Sequence, residues 1–136
     1  MEIIGPYTTW EPPHETHDNY QHWFKFGNTT SKLHRDHGPA VIWSDNSKMW
    51  HKDGKFHRED GPAVIMYNGD QHWYKDDKRH REDGPAVILS NGNKHWYKDE
   101  INIDNVVYIW AKQCDIDLDN MSDSDKLLLK IFINGL

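Results

Sequence analysis

The chain has 136 residues, 16 basic and 22 acidic side chains, a formal charge of −6, 7 Trp, 6 Tyr, 4 Phe and one cysteine. That length fits one domain, the aromatic content excludes a disordered chain, and a single cysteine excludes an internal disulfide and suits a reducing compartment. The acidic balance shows no basic stripe of the kind that duplex DNA or an anionic membrane selects, so neither is an expected partner.

The N-terminal Met1-Glu2-Ile3-Ile4-Gly5-Pro6 lacks the charged and apolar regions of a signal peptide. No apolar run reaches membrane-spanning length, and the expected location is the cytoplasm. Gly5-Pro6-Tyr7-Thr8-Thr9-Trp10 matches Gly38-Pro39-Ala40-Val41-Ile42-Trp43 in outline. This predicts a degenerate opening hairpin over 1–22, acting as a cap, with a long loop from Glu11 to Asn19. Trp23-Phe24-Lys25-Phe26 reads as its return strand. Trp23 to His34 is four residues longer than Trp50 to His57, and the insertion falls within Gly27 to Lys32.

From there one phrase occurs three times: His34-Arg35-Asp36-His37-Gly38-Pro39-Ala40-Val41-Ile42, then His57 to Ile65, then His80 to Ile88. Gly38, Gly61 and Gly84 are 23 residues apart, as are Trp50, Trp73 and Trp96. A fixed period of this length marks a stacked repeat. Within a unit, Ala63-Val64-Ile65-Met66-Tyr67 is a strand, Asn68-Gly69 is a type I′ hairpin turn, and Gln71-His72-Trp73-Tyr74-Lys75 returns. Asp76 to Pro85 is then the connection, and each unit is one hairpin. Asn91-Gly92 and Asp45-Asn46 make the equivalent turns.

Past residue 100 the rhythm stops. Asp104 is a candidate cap for a helix over 105–113, and Ser122 with Asp125 a capping pair for a second helix over 123–133, stopped by Asn134-Gly135. The second helix is apolar nearly all round and is expected to be buried, against the last hairpin or a second copy of the chain. The fold class is therefore mainly β with C-terminal helices: an antiparallel meander or solenoid of about four hairpins capped by two short α-helices. It is one domain over 1–136, with a cap at 1–22, hairpin repeats at 23–100 and a helical cap at 101–136.

Trp73-Tyr74-Lys75-Asp76-x-x-x-His80-x-x-x-Gly84, on its 23-residue beat, resembles a divergent MORN-type repeat. The fuller form, with His-Arg-Glu-Asp-Gly-Pro-Ala-Val and Asn-Gly before Trp-Tyr, resembles repeats in uncharacterised proteins of phages and large DNA viruses. The resemblance spans residues 20–100 and implies a binding or assembly scaffold. His-Arg stands where the family has His-Gly, and a Pro follows the second Gly, so phosphoinositide binding is not carried over. The expected function is non-enzymatic: a phage- or virus-encoded protein in the host cytoplasm that binds, and inhibits, a host defence or regulatory protein.

The candidate partner-binding residues are Trp10, Trp43, Trp50, Trp73, Trp96, Trp110, Tyr74 and Tyr97, read as an aromatic stripe or as the packing of the repeat. Arg35, Arg58 and Arg81 are the candidate residues for an alternative, sequestration of a small nucleotide-like ligand. A further alternative is acidic mimicry of nucleic acid by Glu59-Asp60, Asp76-Asp77, Glu82-Asp83 and the Asp115 to Asp125 run. The His-Arg-acid triplets suit acid–base chemistry, but three equivalent copies argue for internally paired turns over a His/carboxylate hydrolase. His14-x-x-His17 and His34-x-x-His37 lack further ligands for zinc. Asp115-x-Asp117-x-Asp119 has Lys126 where a calcium loop needs its bidentate Glu. No cofactor and no metal are expected.

Overall fold

The computed structural model of the chain describes residues 15–17, 20–26 and 31–136. Trp10 and the predicted strand at 5–10 lie outside them. In chain order the strands are β1 (Glu15–His17), β2 (Tyr20–His22), β3 (Phe24–Phe26), β4 (Ser31–Leu33), β5 (Val41–Trp43), β6 (Lys48–Met49), β7 (His51–Lys52) and β8 (Lys55–Phe56). They continue as β9 (Val64–Ile65), β10 (Gln71–His72), β11 (Tyr74–Lys75), β12 (Lys78–Arg79), β13 (Val87–Ile88), β14 (Lys94–His95), β15 (Tyr97–Lys98) and β16 (Ile101–Asn102). Two helices follow, α1 (Asp104–Gln113) and α2 (Asp123–Asn134).

The meander is present as one eight-stranded antiparallel sheet, ordered β1-β2-β5-β6-β9-β10-β13-β14. Its first hairpin occupies 15–22, so β1 lies inside the stretch expected to be the loop Glu11 to Asn19. Each unit also carries a second hairpin in what the sequence reads as a connection: β3-β4, β7-β8, β11-β12 and β15-β16. A unit is therefore two hairpins, not one. The four-residue insertion lengthens β3 and β4 by one residue each, relative to β7 and β8, and separates them by four residues instead of two.

The turn chemistry is exchanged between the two rows. In the long sheet Met66 N–H donates to Asp70 O and Gly69 N–H to Met66 O, and only Gly69 has positive φ (+96°). That is a three-residue loop closed by a glycine bulge, not the expected type I′ turn. Gly92 (+90°) and Asn46 (+71°) occupy the same position. Paired positive φ, the type I′ signature, falls in the second row at Asp53-Gly54, Asp76-Asp77 and Asp99-Glu100. Acidic side chains tolerate these positions because they bond the neighbouring hairpin: Phe56 N–H donates to Asp77 Oδ1 (2.7 Å), and Arg79 N–H to Glu100 Oε2 (2.7 Å).

The tryptophans sit where the two rows meet. Trp23, Trp50 and Trp73 N–H groups donate to Ala40, Ala63 and Ala86 O of the next unit. Those alanines are fully buried, and Val41, Val64 and Val87 beside them face inward. At the last unit no alanine follows Trp96. Its N–H donates instead to Asp104 Oδ1 (2.6 Å), while Asp104 Oδ2 accepts from His95 Nδ1 (2.8 Å). Asp104 therefore ends the array. It is not the cap of α1 as expected: Ile103 takes that position with no side-chain cap bond. The capping pair of α2 is as read from the sequence, with Asp125 N–H donating to Ser122 Oγ and Ser122 N–H to Asp125 Oδ2.

Trp96, Ile103, Val107, Leu129 and Ile133 form the C-terminal core, with Trp110, Leu118, Met121 and Phe132 packed against it. The helix α2 is not buried all round. Leu129 and Ile133 face the core, while Leu127, Leu128 and Ile131 on the opposite side remain 51–63% exposed. No helix among the described residues is long and apolar enough to cross a membrane.

Candidate functional site

Each His-Arg-acid-Gly-Pro loop is a small machine for holding its neighbours. Arg35, Arg58 and Arg81 lie over the rings of Trp23, Trp50 and Trp73 at 3.9–4.1 Å. Each Nη1 donates to the carbonyl of Pro39, Pro62 or Pro85 (3.1–3.2 Å). Arg58 and Arg81 Nε donate to Asp60 and Asp83 (2.8 and 2.9 Å), and this bond holds the Asp60 carboxyl below its usual range. The first unit has His37 at that position. The glycine supplies space: a Cβ on Gly61 or Gly84 would lie 2.9 Å from the arginine Cζ.

The histidines link consecutive units. His34, His57 and His80 Nδ1 accept the backbone N–H of Asp53, Asp76 and Asp99 at 2.9–3.2 Å. The ring proton is then on Nε2, which donates to Asp36, Glu59 or Glu82. Both nitrogens of all three rings are thus committed. Between successive loops lie two open clefts of about 710 and 580 Å³ that share Arg58, Glu59 and Asp60 as a common wall.

The candidate aromatics separate into groups. Trp23 and Trp96 are buried; Trp50 and Trp73 are half-buried beneath arginines. Tyr108 meets the Trp96 ring edge-on at 5.5 Å. Tyr74 and Tyr97 belong to an inward ladder that runs His51, Phe56, Tyr74, with Arg79 stacked on Tyr97. Burial pushes the Tyr74 hydroxyl up and holds His51 below its usual value. Trp110 stacks on Phe132 between the helices. Trp43 is 36% exposed beside Tyr20. Arg35, Arg58 and Arg81 cover the ring faces that a planar base would need.

No group of metal ligands exists among the described residues. Asp117 closes its loop by accepting from Asp119 N–H and Asn120 Nδ2, which holds its carboxyl below the usual range.

No protein-family model matches the chain, and no curated protein or solved structure matches it significantly.

The outward apolar side chains are the feature sequence reasoning missed. Ten large hydrophobic residues are exposed among the described residues; eight lie in 101–136, including Val106 and Ile109 on α1 and Leu127, Leu128 and Ile131 on α2. The signal was there in the apolar run Leu127-Leu128-Leu129-Lys130-Ile131-Phe132-Ile133. A helix buried on one side only must show part of such a run to solvent.

Proposed function

We propose that the chain is a non-enzymatic repeat scaffold, phage- or virus-encoded as its repeat suggests, that acts by binding a host protein. The observation that carries this is the solvent-facing Leu127, Leu128 and Ile131 on α2, 59%, 51% and 63% exposed. These three fall within about 100° of arc at the helical spacing, and contiguous apolar surface of this kind marks interaction sites. Two observations favour a binding scaffold over an enzyme. A His-Arg-carboxylate triplet recurs in three units, and both nitrogens of His34, His57 and His80 are engaged, Nδ1 in joining units and Nε2 within its own loop.

The test is capture of host proteins by the tagged chain, with Leu128→Asp/Ile131→Asp beside it and Trp43→Ala as a comparison surface. The double variant should lose the captured protein at least tenfold and keep the circular dichroism of the parent. Equal capture by the double variant and the parent would refute the α2 surface; loss with Trp43→Ala alone would move it to the sheet.

A further inference from the structure

The outer face of the short hairpins is a column of lysines. Cross-strand partners share a face, and here Lys52 faces Lys55 and Lys75 faces Lys78, with Lys32 at the matching register position of the first short hairpin. Lys98 continues the column opposite Ile101. Their strand neighbours His51, Phe56, Tyr74, Arg79 and Tyr97 make the inward ladder, so the two-residue period sends the lysines outward. Lys32, Lys52, Lys55, Lys75 and Lys78 are exposed, and none of these five forms an ion pair among the described residues.

Like charges placed directly opposite one another destabilise a strand pair, yet two successive hairpins carry that arrangement. The hairpins stack in phase through backbone bonds from Gly54 to Leu33, Asp77 to Phe56 and Glu100 to Arg79. At two strands per unit the step is about 9.6 Å, and four units span about 29 Å. The acids of the same turns are turned aside. Asp53, Asp76 and Asp99 lie 3.2–3.6 Å from His34, His57 and His80, and Glu100 is paired with Arg79. An overall charge of −6 thus conceals a segregated line of positive charge.

We propose that this column binds a single-stranded phosphodiester chain, DNA or RNA, through its phosphates alone. A line one lysine pair wide suits a linear polyanion. Its one exposed apolar side chain among the described residues is Ile101 at the far end, short of the clustered anchors that dominate protein interfaces, and among those residues it offers no exposed ring on which a base could stack. A duplex or a flat membrane would also cover the flanking Asp53, Asp76 and Asp99, whose side chains are 45–59% exposed.

Fluorescence anisotropy with labelled oligothymidylate and oligouridylate tests this. Five phosphate contacts give a log–log salt slope of about −3.5, so affinity should fall roughly 100-fold from about 50 to 200 mM salt. Lys52→Gln/Lys55→Gln/Lys75→Gln/Lys78→Gln should bring the slope to about −0.7 and that fall to about threefold. The pairwise variants Lys52→Gln/Lys55→Gln and Lys75→Gln/Lys78→Gln, each removing about 1.4 from the slope, carry the test if the fourfold variant does not fold. Three results would overturn the proposal: no oligonucleotide binding at low salt, an unchanged slope in the folded variants, or binding to phosphatidylserine vesicles without binding to either oligonucleotide. A preference above about tenfold for one sugar would overturn recognition through phosphates alone.

Discussion

Replacing Gly84 with alanine isolates the contact that locks one unit. Gly84 does not have positive φ, so the backbone accepts an L-residue, and the cost is steric. The new methyl group would stand 2.9 Å from Arg81 Cζ and 3.1 Å from Nε and Nη2, so the guanidinium must move. Moving it forfeits the contact with Trp73 at 4.1 Å, worth about 1–2 kcal/mol when partly desolvated. It also forfeits the charged bond to Pro85 O at 3.1 Å, worth about 1.5–3 kcal/mol. The exposed pair with Asp83 adds little. Because partial relaxation recovers some of this, Gly84→Ala should cost about 2–3 kcal/mol. Arg81→Ala should cost about the same. The double variant should cost no more than Arg81→Ala, since the added methyl group then meets empty space, and the coupling is about 2 kcal/mol. Urea denaturation followed by circular dichroism and by tryptophan fluorescence measures all four corners of the cycle. Additive losses, near 5 kcal/mol for the double variant, would refute the reasoning that glycine is present to seat the arginine.

Asp104→Ala should destabilise the chain by about 2–3 kcal/mol, because Trp96 N–H and His95 each lose a charged acceptor at the end of the array; a change below about 0.5 kcal/mol in urea titration would contradict its role as terminator. His51 is held below its ordinary value of 6.5 by burial, so its folded state favours the neutral ring. Its contribution to stability is then complete above pH 6.5 and is lost as pH falls through the lowered value. His51→Phe should therefore keep more of its melting temperature than the parent between pH 7 and pH 5, with His72, also lowered by burial, leaving a residual slope; parallel melting curves would refute this.

The repeat was legible because its signals are local. A glycine needed for space, a proline that begins a strand and a tryptophan every 23 residues all recur at fixed offsets, and the eight-stranded sheet follows them. The capping box of α2 was equally legible, since Ser122 and Asp125 satisfy each other within one turn. Turn type was not. Asn68-Gly69 suits two hairpin geometries, and the hydrogen-bond register of Met66 with Asp70 decides between them. The second row of hairpins was hidden because two-residue strands lie below the length at which alternation shows, and Asp76-Asp77 carries no glycine.

The candidate site followed the same division. The sequence by itself determined which residues repeat, and therefore that histidine, arginine and carboxylate serve the scaffold in each unit. Only the tertiary structure decided what faces outward. It placed Trp73 beneath Arg81 and Trp96 beneath the helices, turned Leu127, Leu128 and Ile131 to solvent, and aligned lysines 23 residues apart into one column. The physical reason is that exposure and charge segregation depend on which faces of separate units stack in phase, and stacking is a property of the assembled array, absent from any single unit.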